Sequence, residues 1–317
     1  MKAVLFTPGG VENLYIATTP KPTAENTRVL IRVEYTALNR ADTLQRRGLY
    51  PPPAGESDIL GLEVSGGGYA EYVAVEEVLV MPAPDSLKLL DAAAIPEAWL
   101  TAYQLLHFLG RVERGDVVLI HAGGSGVGTA LVQLSLVAGA QPYVTAGSEE
   151  KIKMAESLGA KGGFNYKTGD FSNWIESVTE GKGADVILDC IGSSFWEQNI
   201  RSLALDGRWV LYGLLGGGNV SGNLLRELLK KRGSLRATTL RSRSLEYKAE
   251  LVQAFTANIV PLFATGKLKT IVDSVFTMDQ IQLAHNRMES NQNTGKIVVQ
   301  IATPQEDQNV TKNKSEL

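Results

Sequence analysis

The chain has 317 residues, 44% of them hydrophobic and 21% charged, with a formal net charge of -3. That is the balance of a globular protein with room for two domains, and it argues against a nucleic-acid or membrane surface. No apolar run reaches membrane-span length, the opening MKAVLFTPGG reads as strand and turn rather than a signal peptide, and the single cysteine, Cys190, excludes an internal disulfide; together these point to the cytosol.

Residues 1 to 93 are rich in β-branched residues, Gly and Pro, with strands expected at Lys2–Phe6, Arg28–Thr36 and Tyr69–Val75. A helix follows over Pro96–Leu109, with Pro96 suited to a first turn. From Gly115 the texture changes to strand–helix alternation. Strands are expected at Asp116–His121, Pro142–Ala146, Gly162–Phe164, Asp185–Ile191, Trp209–Gly213 and Ser234–Leu240, and helices include Gly126–Ala138 and Glu149–Leu158. This order predicts an α/β unit with a doubly wound parallel sheet, the Rossmann architecture, over residues 94–265. A long helix, Leu245–Ala264, leaves that unit. The stretch 266–301, with strands Thr270–Phe276 and Lys296–Ile301 flanking a helix Met278–Glu289, is expected to rejoin the first domain. Residues 302–317 are polar and expected to be disordered.

The strongest motif runs from Asp116 to Gly128: an apolar strand, a glycine-rich turn and a helix. Such a turn brings backbone amides close to a pyrophosphate at the helix N-terminus. Gly123, Ser125 and Gly128 occupy the G-x-G-x-x-G places, with Gly126 and Val127 between, and Ser125 is a small departure that still permits close approach. A tight structural turn is the plain alternative, made weaker by the βα units that follow. The second strand separates the two nicotinamide cofactors. It ends Thr145-Ala-Gly-Ser148 with no carboxylate for a ribose 2′-hydroxyl, while Ser148 and Lys151 suit a 2′-phosphate. NADPH is therefore the expected cofactor. Glu149 and Glu150 are expected to face solvent, and Lys151 could equally be a solvated helix residue.

Several stretches together resemble the zinc-free quinone oxidoreductases related to zeta-crystallin, in the medium-chain dehydrogenase/reductase superfamily, and within them the tumour-suppressor-inducible group of animals. They are Ala37-Leu-Asn-Arg-Ala-Asp42, Arg47-Gly-Leu-Tyr-Pro-Pro-Pro53, Ile59-Leu-Gly-Leu-Glu-Val-Ser-Gly66, Ala94-Ile-Pro-Glu-Ala-Trp-Leu-Thr-Ala102, the glycine loop, Gly163-Phe-Asn-Tyr166, Ile187-Leu-Asp-Cys-Ile-Gly192, Asp206-Gly-Arg-Trp-Val-Leu-Tyr-Gly213 and Gly295-Lys-Ile-Val298. The resemblance implies a GroES-like β-barrel catalytic domain (1–93 and 266–301), a Rossmann domain and a cleft between them. It implies NADPH-dependent reduction of a small-molecule quinone and a homodimer formed through the region Ser234–Leu240. It places Asn39, Asp42 and Tyr50 near nicotinamide and substrate, and Lys151 and Tyr166 at the adenosine phosphate. The cofactor's path continues past Gly147, Ser148, Gly213, Thr239, Leu240 and Arg241, and Asn293 is expected to reach it.

No metal is expected. The superfamily's zinc enzymes use a Cys where this chain has Asn39 and a His where it has Leu62, and one cysteine cannot build a four-cysteine site. Cys190, His107 and His121 lie in apolar elements and read as structural. A quinone is already electrophilic, so its reduction does not require a Lewis acid. One departure stands out. After Gly66 the family continues with further barrel strands, whereas here Gly66 runs straight into Gly67-Gly-Tyr-Ala-Glu-Tyr72. An internally shortened barrel is expected to expose edges and core, leaving a catalytically impaired cofactor-binding chain as one alternative function. An enone or enoyl reductase on the same scaffold is another.

Overall fold

The computed structural model describes residues 1–64 and 66–302. The tail expected to be disordered lies, beyond Ala302, outside the described residues. Thirteen strands follow in order: β1 Lys2–Phe6, β2 Leu14–Thr18, β3 Arg28–Arg32, β4 Tyr35–Ala37, β5 Tyr72–Glu76, β6 Val117–His121, β7 Gln141–Ala146, β8 Gly162–Asn165, β9 Ala184–Asp189, β10 Leu203–Leu211, β11 Ser234–Ala237, β12 Val272–Thr277 and β13 Lys296–Gln300. The helices are α1 Arg40–Arg46, α2 Leu89–Ala92, α3 Pro96–Tyr103, α4 Gly126–Val137, α5 Glu149–Ser157, α6 Phe171–Val178, α7 Trp196–Ser202, α8 Leu224–Lys231, α9 Leu245–Asn258, α10 Val260–Ala264 and α11 Ile281–Glu289.

Strands β6 to β11 form a six-stranded parallel sheet in the order β11-β10-β9-β6-β7-β8. Strand β6, Val-Val-Leu-Ile-His, is buried along its whole length, as a central parallel strand covered on both faces must be. One face packs on α3, α4 and α9 through Trp99, Leu131, Leu134 and Phe255, the other on α6 and α7 through Phe171, Ile175 and Ile200. The Rossmann expectation is met, with local corrections. The helix from Pro96 widens at Gln104–Leu109 into a π-helical turn. The long helix at 245–264 breaks after Asn258, two residues ahead of the Pro261 ring that removes an N–H.

The unit expected to be catalytic is three small sheets, β1–β2, β3–β5 and β12–β13–β4, around a second core that includes Val4, Leu38, Leu60, Tyr69, Ile297 and Val299. The single strand expected at 28–36 is two: β3 pairs with β5, then the chain bends and β4 pairs with β13. Behind this core the fully buried Arg46 donates to His285 Nδ1 at 3.3 Å and to Glu289 at 2.8 Å, binding α1 to α11. Burial drives His285 down to about 3, so the ring is neutral and its Nε2, 3.4 Å from the Tyr69 hydroxyl, carries the hydrogen.

The shortened stretch is closed by backbone pairing. Gly67 N donates to Ile59 O at 2.8 Å, Tyr69 N to Leu60 O at 3.0 Å and Gly68 N to Gly61 O at 3.2 Å. The chain then adds to β1 through Val4 N to Tyr69 O, 2.9 Å, and an Ala3–Ala70 bridge. The turn needs glycine: Gly61, Gly66 and Gly67 have φ of 112°, 130° and 89°. A Cβ at Gly61 would lie 2.5 Å from Gly68 Cα, backbone against backbone. The expected loss of amide pairing is thus repaired at the junction itself. The apolar inner face of the β3–β5 ribbon nevertheless lines an open cavity of about 960 Å³.

Gly61→Ala is expected to destabilise the chain by roughly 1–3 kcal/mol, the usual cost of forced overpacking, measured by urea unfolding. A change below about 0.5 kcal/mol would mean that the junction is not closed in this way.

Candidate active site

At the end of β6 the backbone enters a left-handed conformation at Ala122, φ 54°, and turns into the glycine loop. A Cβ at Gly123 would lie 2.5 Å from Val144, and one at Gly128 would strike the Ala122 carbonyl, so both glycines are set by strand–helix packing. Ser125 is the N-cap of α4 and its hydroxyl accepts from Gly128 N at 3.0 Å. The amides of Gly126 and Val127, in the first turn of this 12-residue helix, have no intrahelical acceptor and suit an anion. Beneath the loop lies a buried polar chain. His121 Nε2 meets Asn199 Oδ1 at 2.6 Å, and Asn199 Nδ2 donates to Asp189 at 3.0 Å, which also accepts from Trp209. Because the amide oxygen must accept, His121 carries its hydrogen on Nε2 and accepts from the Thr145 hydroxyl at 2.8 Å. Burial lowers its pKa, keeping it neutral. Cys190, buried and pushed up to about 12, stays a thiol, and half-buried His107 packs on Tyr103.

Strand β7 ends at Ala146, and Gly147 and Ser148 lead into α5 with Glu149 and Glu150 exposed. The Tyr166 hydroxyl crowds Gly147, where a Cβ would lie 2.7 Å away, and the ring packs on Phe195. Lys151 is placed differently from the sequence expectation. Its stem covers Gly124 and its ammonium donates to Asn291 O at 2.6 Å, so it stands over the glycine loop against the catalytic unit. Lys167, passed over in the sequence, is the lysine beside Gly147, where a Cβ would lie 3.4 Å from its Cε. At the opposite end Gly213 packs on Cys190, and the hydroxyls of Thr239 and Ser242 are 2.6 Å apart. Asn293 is buried and donates to Gly295 O at 2.9 Å, engaged within its own turn.

The two domains meet at a buried charge cluster. Gly295 N donates to Gly124 O at 2.8 Å, which brings Lys296 under the glycine loop; a Cβ at Gly126 would lie 2.5 Å from Lys296 Cδ. The Lys296 ammonium donates to Glu63 Oε1 at 2.6 Å, Asn39 Oδ1 at 2.6 Å and Leu38 O at 2.8 Å. Asn39 Nδ2 donates to the same Glu63 oxygen at 2.9 Å, and Glu97 N to the other at 2.9 Å. Helix α3 is preceded by Ile95, which cannot cap it, so Glu63 supplies the missing acceptor. Tyr50 lies 5.8 Å from the Arg241 guanidinium, which donates to Glu56 at 2.8 Å and Gln45 at 2.8 Å. Lys248 also reaches Glu56, clasping the Tyr50 loop to the Rossmann domain. Asp42, expected beside substrate, is fully buried and accepts from the amides of Asn39, Gly61 and Leu62. It positions this loop and does not face the cleft. Burial raises it to about 6 against those hydrogen bonds.

Burial also raises Glu97, assisted by the nearby Glu63 carboxylate, to about 8. Glu63, Glu97, Leu240 and Arg241 all line the 960 Å³ cavity. Lys296, Glu63 and Glu97 were absent from the sequence reading of the site. Each lay inside a motif quoted for resemblance, but only the fold shows that the three converge. The donor set does not fit zinc: the place expected for a histidine holds Leu62, and Asn39 and Glu63 already bind an ammonium. Among the described residues no group of three or more His, Cys, Asp or Glu could hold a metal ion. No described helix is long and apolar enough to cross a membrane.

Removing one partner of a buried ion pair strands the other. Lys296→Met is expected to cost about 3–5 kcal/mol in urea unfolding, with Lys296→Met/Glu63→Gln recovering most of it. A loss below about 1 kcal/mol for the single variant would show that water already solvates Glu63.

The sequence pattern of the zinc-binding dehydrogenase family matches residues 126–257, the core of the Rossmann domain. The Pseudomonas aeruginosa quinone oxidoreductase is 28% identical over 86% of this chain and 90% of its own length. A phenolphthiocerol/phthiocerol polyketide synthase subunit of Mycobacterium tuberculosis is 28% identical over 93% of this chain, which spans only 14% of that protein. Among solved structures, Escherichia coli quinone oxidoreductase complexed with NADPH has a TM-score of 0.82 at 25% identity, covering 95% of this chain and 100% of its own. An NAD-dependent alcohol dehydrogenase has a TM-score of 0.82 at 28% identity, with 95% and 100% covered. The fold, the glycine loop and these relatives agree: the chain is similar to quinone oxidoreductases over nearly its whole length, and its nucleotide-binding domain matches the zinc-binding dehydrogenase family.

Proposed function

We propose that the chain is an NADPH-dependent, metal-independent reductase of small electrophilic acceptors, with quinones the favoured class. The observation that carries this reading is the meeting of the glycine loop with a polar cluster whose cation is Lys296. The dinucleotide fits the chain on two local grounds. The free first-turn amides of α4 suit its pyrophosphate, and the end of β7 offers Ser148, Tyr166 and Lys167 with no carboxylate at the strand end. Gly213, Thr239 and Leu240 would border the nicotinamide. When bound, the reduced cofactor supplies hydride. Asn39 and Tyr50 would orient the acceptor and Asp42 would hold their loop.

A second reading, reduction of an enone or enoyl thioester, is favoured by the alignment of nearly the whole chain with a segment of polyketide synthases. Turnover of NADPH with ortho- and para-quinones set beside enones separates the two. A folded, NADPH-binding sample that reduces neither class would sink both and leave the cofactor-binding alternative. For the cofactor, Lys167→Glu is expected to weaken NADPH binding at least about tenfold, the worth of one charge-assisted hydrogen bond, while NADH binding barely changes. Equal losses for both would remove Lys167 from the phosphate site.

We further infer a homodimer through the open edge of β11. This short strand has one unpaired side, and Leu225 and Leu229 on the neighbouring α8 are 81% and 80% exposed. Sedimentation at micromolar concentration should give a dimer that Leu225→Glu/Leu229→Glu splits. A monomeric parent would contradict it.

A further inference from the structure

The cluster contains two neighbouring carboxyl groups with opposite surroundings. Glu63 has both oxygens engaged, one by the Lys296 ammonium and Asn39, the other by the Glu97 amide. Both of its oxygens are therefore taken up in holding Lys296, Asn39 and the start of α3. The Glu97 carboxyl, on the same residue as the amide that Glu63 grips, has no hydrogen-bond partner among the described residues. It lines the cavity, and after burial it is the next cause that makes the Tyr50 hydroxyl harder to ionise. One carboxyl is thus committed to positioning, while the other faces the cavity with no partner to hold its proton back.

We propose that Glu97 is the proton donor of the reduction, handing its carboxyl proton to the acceptor oxygen in the cavity bounded by Glu63 and Arg241. This rests on the reductase reading above. A quinone becomes a hydroquinone by gaining a hydride and a proton. The hydride, with both electrons, comes from the reduced dinucleotide. The proton leaves the Glu97 oxygen as the new phenolic O–H bond forms, and cavity water then returns a proton to the carboxylate. The group must be protonated at neutral pH, and its surroundings provide for that. Burial and Glu63 raise it to about 8, Asp42 adds in the same direction, and Lys296 and Arg241 oppose them. The Glu56 carboxylate, itself bound by Arg241 and Lys248, lines the same cavity, as do Glu25, Arg28, Tyr72 and Glu76 around the β3–β5 ribbon. A solvent-derived proton would need none of this: an exposed acceptor oxygen would serve equally well without an unpartnered acid beside it.

Linkage supplies a readout that does not depend on turnover. A carboxyl raised in the folded state costs stability as pH climbs from its unfolded value, near 4.3, toward about 8. Glu97→Gln keeps the shape and removes the charge. Its melting temperature should therefore exceed that of the parent by a margin that grows from pH 5 to pH 8. The same variant should bind NADPH as the parent does but lose roughly 10²–10⁴-fold in kcat for quinones, the ordinary worth of a general acid. The parent's kcat should fall above about pH 8, and the variant's residual rate should not. A variant with parental kcat and pH profile would overturn the donor role while leaving the reductase reading intact. A constant melting difference across pH would overturn the protonated state on which the role depends. A parent that binds NADPH and reduces no acceptor would overturn the reductase reading, and the donor role with it.

Discussion

The arrangement turns on one buried ion pair. Lys296 opens the last strand of the catalytic unit, Glu63 lies in the loop that crosses its cleft, and their contact of 2.6 Å is made under the glycine loop of the other domain. A charge pair this deep gains little net stability over an apolar pair, but it cannot be half-broken without stranding a charge. It therefore specifies position more than it stabilises. Three consequences follow from where it sits. Glu63 is left with a second oxygen that caps α3 through Glu97 N. Asn39 is oriented by donating to Glu63 and accepting from Lys296 at once. The remaining acid, Glu97, is placed beside a carboxylate whose oxygens are all engaged.

On the proposed reading the same pair stands where a metal site would need its ligands. In a zinc site a dication organises Cys, His and carboxylate donors. Here an ammonium organises an amide oxygen, a carboxylate and a backbone carbonyl, all hard oxygen acceptors suited to N–H donors. The ammonium is fully used by these three contacts, so it does not act as an electrophile toward an acceptor. On the proposed reading the chain gives up Lewis acidity and relies on an acceptor that is reactive on its own, with a carboxylic acid to complete the reduction.

Much of this was legible in the sequence, and the failures have local causes. The glycine loop, the parallel strands and the helices between them were read correctly because each is a short-range pattern: an apolar run, a turn and a cap. Ser125 was recognised as a member of the loop, and its hydroxyl also caps α4 by accepting from Gly128 N. Lys151 was expected at the adenosine phosphate by its suitability and by resemblance, and its ammonium is engaged by Asn291 O. Strand β3 was run into β4 because Val33 and Tyr35 continue the β-branched and aromatic texture. Only the pairing partners, β5 and β13, reveal the change of sheet. Glu63, Glu97 and Lys296 could not have been grouped: contacts 34 and 233 residues apart leave no periodicity to find.

The shortened stretch after Gly66 bears on selectivity as well as folding. Hydrogen bonding across the junction is satisfied because three glycines accept left-handed backbone where a side chain could not. What the junction cannot replace is the cover over Ile31, Val73 and Val75, and their exposed face merges with the space in front of Glu97. A cavity of about 960 Å³ lies at the upper end of small-molecule sites, well beyond what a single aromatic ring fills. Apolar walls that stand apart discriminate weakly between acceptors, since a methylene in a loose pocket changes little. Selection in such a site falls to the few polar groups at its inner end. Glu97 stands there unpartnered beside Arg241, which is held by Glu56 and Gln45 of the other domain, so on the proposed reading the acceptor's oxygen, more than its outline, decides how it is received.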